Sequence, residues 1–210
     1  MPEKNTVTEV RVPVKHPDRR WIYINDEYVF SLSEDIFFSN PLQVGDILTD
    51  SEIEHYQKLD KIYRIKEAAF RLLDYRQRSQ REMVIRLRKK GWAQEEITPV
   101  IEELIELGYL NDLEFARAFS HDKVKLRKIG PIALRYELYK TGVDKEIIDN
   151  VVDEIYEQFP VDSLVQSILK KKGINSGKQL DKKEKKKLVD LLRRKGFNWV
   201  DIEPFISKLK

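Results

Sequence analysis

The sequence predicts a mainly α-helical protein made of three tandem three-helix repeats, which form an elongated, curved array behind a small N-terminal β-rich module. Three observations predict this architecture. Strand-like runs are confined to the first fifty residues, apolar residues then recur at intervals of three and four, and one pattern of about 50 residues occurs three times. The predicted domains are residues 1–50 (β-rich module), 51–110 (repeat one with its lead helix), 111–160 (repeat two) and 161–210 (repeat three).

The β-rich module is predicted from short runs of β-branched and aromatic residues. These runs are residues 7–12, 21–24 and 28–32. Asn25 and Asp26 separate the last two runs, and both residue types tolerate positive φ, so a hairpin turn is expected there. Pro41 and Gly45 indicate a loop, and the module should end near residue 48.

Capping residues mark where several helices begin. Asp50 or Ser51 is the predicted cap of the long helix that follows the module, and Ser51 with Glu54 has the Ser-x-x-Glu form of a capping box. The start signals for the middle helices of the repeats are a Ser79–Glu82 capping box, Pro131 at the first helical position, and an Asp181–Glu184 pair.

The repeat centres on three glycines, Gly91, Gly142 and Gly196, which lie 51 and 54 residues apart. Each has apolar residues eight and four positions before it and one, six and ten positions after it. The earlier pair forms one helix face, and the glycine ends that helix because the left-handed conformation is easiest for glycine. Neither helix pair can bury its apolar face alone, so the repeats are expected to stack around a shared core.

The net charge of +3 hides a polarity along the chain. Residues 1–60 carry −6 and residues 161–210 carry +8. The middle helix of each repeat is basic, which points to a polyanion or an acidic protein surface as partner, with a merely solvated charged face as the open alternative. The candidate contact residues are Arg76, Arg78, Arg81, Arg88, Lys89, Arg135, Lys140, Lys182, Lys183, Lys186, Arg193 and Arg194.

Several classes of protein are excluded or not expected. The chain has no Cys, which excludes a disulfide scaffold, thiolate catalysis and zinc fingers, and its three His residues lie far apart. No P-loop, G-x-S-x-G or H-E-x-x-H motif occurs, so we expect no enzyme, no metal and no cofactor. No apolar run could span a bilayer or serve as a signal peptide, so the expected location is the cytoplasm, without membrane contact.

Three segments resemble the RecX family, the regulators of RecA recombinase. Residues 76–91, RQRSQREMVIRLRKKG, resemble the family's R-x-R-S-x-x-E-L-x-x-K-L-x-x-K-G signature. Residues 108–116, GYLNDLEFA, and residues 130–143 resemble its G-Y-L and G-x-x-x-I-x-x-E-L-x-x-K-G-I segments. The sequence departs from the pattern at Met83, where Leu is usual, and at Thr141, where Lys is common. The resemblance covers residues 60–160 well and extends to the end through the repeat.

The resemblance implies a non-enzymatic modulator that binds the RecA filament on single-stranded DNA and restrains its ATPase and strand-exchange activities in recombinational DNA repair and the SOS response. The tandem array is expected to act as a monomer. Two alternatives stay open: a stand-alone DNA-binding regulator of helix-turn-helix type, and a helical scaffold with no nucleic-acid role. The basic helices are rich in Lys and poor in Asn and Gln, which argues against the reading of base sequence.

Overall fold

The computed structural model describes residues 4–174 and 179–209. Within these residues the chain forms four strands and ten helices. The predicted class is confirmed: three three-helix repeats follow a small β module. Contacts divide the chain into two compact units, one built from residues up to 76 with 84–104, and the other from residues 77–83 with those from 105 onward.

The β module is a four-stranded antiparallel sheet with the order β3-β2-β1-β4. Its strands are β1 (Asn5–Arg11), β2 (Arg19–Ile24), β3 (Glu27–Ser33) and β4 (Ile47–Leu48). The three predicted strands are therefore confirmed, within a few residues at their ends. The sequence analysis missed the short helix α1 (Glu34–Ser39) and the edge strand β4, which has only two residues and so carries no periodicity.

The predicted hairpin joins β2 to β3. Asn25 and Asp26 have φ values of +50° and +67°, as a two-residue turn with both central residues in the left-handed region requires. The register shifts between Ile22 and Tyr23, which is a β-bulge in the paired strands. The sheet buries one face, where Ile22 and Leu32 are fully inaccessible to solvent.

The long helix α2 (Asp50–Tyr75) packs on the sheet, and the predicted residue at its start is wrong. The cap is Thr49, not Asp50 or Ser51. Thr49 Oγ1 accepts a hydrogen bond from Glu52 N, and Glu52 Oε2 accepts one from Thr49 N at 2.7 Å. Both candidate boxes fit the sequence pattern, but β4 ends at Leu48, so the chain enters the helix one residue early.

The remaining helices form the three repeats. Repeat one contains α2 with α3 (Gln80–Arg88) and α4 (Gln94–Glu106). Repeat two contains α5 (Asp112–Arg127), α6 (Pro131–Thr141) and α7 (Lys145–Gln158). Repeat three contains α8 (Val161–Lys171), α9 (Lys182–Arg194) and α10 (Trp199–Ile206).

The repeat glycines have the predicted geometry. Gly91, Gly142 and Gly196 have φ values of +100°, +79° and +88°, so each ends its helix in the left-handed conformation. The apolar positions four and eight residues before them are buried, as are most of those that follow. The exceptions are Trp92 and Ile206, which are only partly buried.

The middle-helix start signals are confirmed. Ser79 Oγ accepts a hydrogen bond from Glu82 N, Pro131 is the first residue of α6, and Asp181 with Glu184 forms a full capping box.

Repeats two and three share one apolar core, as stacking predicts. Backbone hydrogen bonds join the start of α6 to the end of α9: Gly130 N donates to the Lys195 carbonyl at 2.7 Å, and Ile132 N donates to the Gly196 carbonyl at 3.1 Å. A Cβ atom on Gly130 would lie 2.5 Å from the Gly196 carbonyl oxygen, so only glycine permits this approach.

Candidate functional site

The middle helices α3, α6 and α9 each expose one equivalent face, which we call the outer face. It consists of the residues ten, six, three and two positions before the repeat glycine, a spacing that places them on one side of a helix. All twelve side chains are exposed. They are Arg81, Ile85, Arg88 and Lys89 in repeat one; Ile132, Tyr136, Tyr139 and Lys140 in repeat two; and Lys186, Asp190, Arg193 and Arg194 in repeat three.

Seven of the twelve predicted contact residues lie on these outer faces. They are Arg81, Arg88, Lys89, Lys140, Lys186, Arg193 and Arg194. In residues 4–174 and 179–209, none of these seven forms an ion pair with a carboxylate. Their positive charges are therefore available to an outside partner, which is what a polyanion or an acidic protein surface needs.

Arg81 is held by packing instead of by charge. Its aliphatic carbons run across the backbone of Gly142, so close that a Cβ built on that glycine would lie 2.0 Å from Arg81 Cδ. Beside it, Ser79 Oγ donates a 2.6 Å hydrogen bond to the Thr141 carbonyl. The stem of Arg81 is thus fixed at the end of α6 while its guanidinium faces solvent.

On α9 the cations extend from the outer face to the first helical turn. Lys182 and Lys183 are exposed there, close to the helix N-terminus, where the helix dipole disfavours positive charge. Their presence at that end is therefore not explained by helix stability. Arg193, at the other end, lies over the Trp199 ring with 5.8 Å from Cζ to the ring centroid.

The structure does not suit two of the predicted contact residues to an outside partner. Arg78 is buried, with 6% of its surface exposed, because it lies in the segment between α2 and α3 that turns into the interior. Arg135 is half-buried and bonds to two carboxylates of α7, Asp149 at 3.2 Å and Asp153 at 3.3 Å. We therefore assign Arg78 and Arg135 to the folding of the chain. The twelfth residue, Arg76, is exposed.

Sequence reasoning missed a cluster of lysines near the ends of α5, α8 and α9. Lys195 Nζ donates a 2.6 Å hydrogen bond to the Arg127 carbonyl. Partial burial, together with the nearby charges of Lys171 and Lys128, lowers the pKa of Lys195 below its usual range. Each of these lysines lies where a helix ends and its carbonyl groups lack partners, so helix capping explains the cluster.

Neither a metal site nor a membrane-spanning segment is found among the described residues. No three His, Asp or Glu side chains lie close enough together there to share a metal ion. None of the helices between residues 4 and 209 that the structure describes is sufficiently long and apolar to cross a bilayer.

Comparison with protein-family models decides the family. The model for the regulatory protein RecX N-terminal domain matches residues 5–49, that for the first RecX three-helix domain matches 66–104, and that for the second matches 111–152. Together these segments cover more than half of the chain. The chain belongs to the RecX family. Within it, the two matched RecX three-helix domains include α3 and α6, and so the outer faces of repeats one and two.

Full-length relatives agree with this assignment to RecX. The regulatory protein RecX of Bacillus velezensis is 31% identical over 194 residues, which cover 91% of this chain and 72% of that protein. The RecX of Listeria monocytogenes serotype 4b is 29% identical over 191 residues, 91% and 71% of the two chains. This chain is therefore similar to proteins named as regulators.

Solved structures show the same fold. A crystal structure of a regulatory protein RecX superimposes with a TM-score of 0.72 at 19% identity, over 97% of this chain and 98% of that one. The RecX of Lactobacillus salivarius gives 0.60 at 23% identity, over 72% and 97%. At these identities the likeness supports the fold of the β module and its helical repeats.

Proposed function

We propose that this chain is a non-enzymatic modulator of RecA that binds the RecA filament on single-stranded DNA and restrains its ATPase and strand-exchange activities. Its setting is recombinational DNA repair and the SOS response in the cytoplasm, and it acts as a monomer without a cofactor. The observation that carries the proposal is the set of exposed, unpaired cations at equivalent positions of α3, α6 and α9, in a chain of the RecX family.

The outer faces supply the chemistry that a nucleoprotein filament would recognise. Arg88 and Lys89 on α3, and Arg193 and Arg194 on α9, are adjacent pairs of unpaired cations. Arginine suits bidentate contacts with phosphate or carboxylate, and lysine acts as a compact point charge. Contacts of this kind do not depend on base sequence and weaken as salt is added. Such binding fits a protein that acts along a filament on any DNA sequence.

The test is the ATPase activity of RecA on single-stranded DNA, titrated with this protein at two salt concentrations. We expect inhibition at low ratios of protein to RecA, and weaker inhibition at the higher salt. The variant Arg88→Gln/Lys89→Gln should require about tenfold more protein, and its salt dependence should fall by about one unit of logarithmic slope for each lost phosphate contact.

The matched control removes two cations that already have partners. Arg117 pairs with Glu154 and Lys61 pairs with Glu96, both at 2.8 Å, so Arg117→Gln/Lys61→Gln changes the net charge equally but removes no unpaired cation. This control should inhibit nearly as the parent does. If the folded parent protein, at equimolar amounts, leaves both the ATPase activity and strand exchange unchanged, the proposed function is wrong.

No observation favours the stand-alone DNA-binding regulator. Such a protein reads base edges in the major groove with Asn, Gln or Arg side chains. The outer faces contain Arg, Lys, Ile, Tyr and one Asp, without Asn or Gln. Protection of one defined duplex site in a footprinting experiment would reverse this preference.

A further inference from the structure

Helix α6 is apolar on two opposite sides. Its inner side buries Leu134 and Leu138 completely. Its outer face carries Ile132, Tyr136 and Tyr139, which are 57%, 59% and 70% exposed. A helix at the surface of a globular protein ordinarily pairs one apolar side with one polar side, so the second apolar side of α6 needs its own explanation.

The equivalent outer faces of repeats one and three are not apolar in this way. At the positions of Ile132 and Tyr139, repeat one has Arg81 and Arg88, and repeat three has Lys186 and Arg193. The fold therefore accepts charged side chains at these positions. The aromatic and aliphatic side chains of repeat two are not required for the packing of the helix.

Three large apolar side chains on one helix face, spaced at i, i+4 and i+7, have the pattern of a helix that docks in a groove. Tyrosine is enriched at protein interfaces because it supplies a large contact area with few rotatable bonds and a hydroxyl group for the rim. Contiguous exposed apolar side chains mark interaction surfaces more often than single ones do.

The charges beside this face indicate which partner it fits. Lys140 Nζ lies over the Tyr136 ring, 4.1 Å from the centroid, and Arg81 lies across Gly142 at the end of the helix. Neither cation pairs with a carboxylate in the described part of the chain. Arg135, on the other edge, is already neutralised by Asp149 and Asp153. The free charge bordering the apolar side chains is thus positive.

We propose that the outer face of α6 is a protein-docking surface, whose partner offers an apolar groove with carboxylates on its rim. This inference rests on the proposed function, in which that partner is a RecA protomer of the filament. A protein groove fits better than a nucleic-acid strand because three of the four side chains are apolar, whereas a strand needs cations along its phosphates. The cation-rich outer face of α9 suits the strand instead.

The test compares two tyrosine double variants for binding to two targets. Tyr136→Ala/Tyr139→Ala removes the aromatic part of the face, and both side chains are exposed, so the fold should survive, as circular dichroism can verify. The control is Tyr28→Ala/Tyr75→Ala, which removes two tyrosines that are 53% and 82% exposed elsewhere. The targets are RecA filaments on single-stranded DNA and the same oligonucleotide alone, both followed by fluorescence anisotropy.

The expected result is a loss of at least about tenfold in affinity for the filament, with affinity for the naked oligonucleotide changed by less than about twofold. The control should bind both targets as the parent does. Lys140→Glu should also weaken filament binding, because it places a negative charge against an acidic rim.

Each other outcome overturns the inference in a distinct way. Equal losses on filament and naked DNA would make the face a base-stacking surface. Unchanged filament binding would show that the face is not an interface. Dissociation of an oligomer by the variant in analytical ultracentrifugation would make it a contact between copies of this chain. If the parent protein itself does not bind the filament, the proposed function fails first, and the assigned partner fails with it.

Discussion

The side chain of Arg81 lies directly against the α-carbon of Gly142. A Cβ on Gly142 would lie 2.0 Å from Arg81 Cδ and 2.7 Å from Arg81 Cβ, much closer than carbon atoms approach each other. The same glycine has a φ of +79°, a conformation that costs other residues about 1–2 kcal/mol. Gly142 is therefore required twice, once by its backbone conformation and once by the side chain that crosses it.

We expect Gly142→Ala to lower the free energy of unfolding by more than the conformational cost alone, by about 1–3 kcal/mol in addition, because Arg81 must move. Gly108→Ala is the matched control: its φ is +76°, and a Cβ there would meet nothing within 4 Å. Urea denaturation of both variants measures the difference. Equal losses would mean that Arg81 moves aside without cost, whereas partial recovery in Arg81→Ala/Gly142→Ala would support the steric explanation.

Burial on α3 separates structural from exposed apolar residues on a single helix. Leu87 is fully buried and Ile85 is 43% exposed on the outer face. Leu87→Ala should therefore destabilise the protein by about 2–5 kcal/mol. Ile85→Ala should cost less than about 1 kcal/mol. Both values follow from chemical denaturation, and similar losses for the two variants would contradict the burial described for α3.

The repeat was predictable because it depends on spacing. Gly91, Gly142 and Gly196 recur with the same apolar neighbours, and the periodicity of an α-helix converts that spacing into buried and exposed faces. For this reason the exposure of Arg81 and Arg88, opposite the buried Met83 and Leu87, could be stated in advance.

The roles of Arg78 and Arg135 were not predictable in the same way. Arg78 lies outside any helix, so no periodicity says where its side chain points. Arg135 does lie on a helix, but its partners Asp149 and Asp153 are on the next one, and only the packing of α6 against α7 brings them together. The apolar outer face of α6 is visible in the sequence, but apolar residues on two sides of a helix also describe a helix that is buried all round.

Asp60 joins the β module to α2 through a buried ion pair. Its two carboxylate oxygens accept hydrogen bonds from the Arg19 guanidinium at 2.8 and 2.9 Å, and one also accepts from Ser33 N at 2.8 Å. Both side chains are largely shielded from solvent. Asp60→Ala leaves the Arg19 charge without a partner, so we expect a loss of about 3–5 kcal/mol in unfolding free energy.

The control for Asp60 is an exposed pair in the same module, Glu9 with Arg11, whose side chains are about half exposed. Glu9→Ala removes the same kind of charge, but water can replace the lost partner, so its effect should be much smaller. Thermal denaturation of the two variants provides the comparison. If Asp60→Ala proved no more harmful than Glu9→Ala, the buried pair would not be what ties the sheet to α2.

Glu137 on α6 should make stability depend on pH in the acid range. Lys123 Nζ donates a hydrogen bond to Glu137 Oε2, and this bond, with the lysine charge, lowers the pKa of Glu137 below its ordinary value of 4.5. A carboxyl group whose pKa is lowered by folding stabilises the folded state above its unfolded pKa. That contribution disappears as the pH falls through the folded pKa.

The variant Glu137→Gln should therefore be less stable than the parent at pH 7, and the difference between them should shrink as the pH falls below about 4.5. Glu157→Gln is the control, since Glu157 is exposed and forms no ion pair in the described chain. Its difference from the parent should stay small at every pH. Urea denaturation at pH 7, 5, 4 and 3 measures both differences, and a gap for Glu137→Gln that persisted unchanged to pH 3 would show that its carboxylate is not stabilised by Lys123.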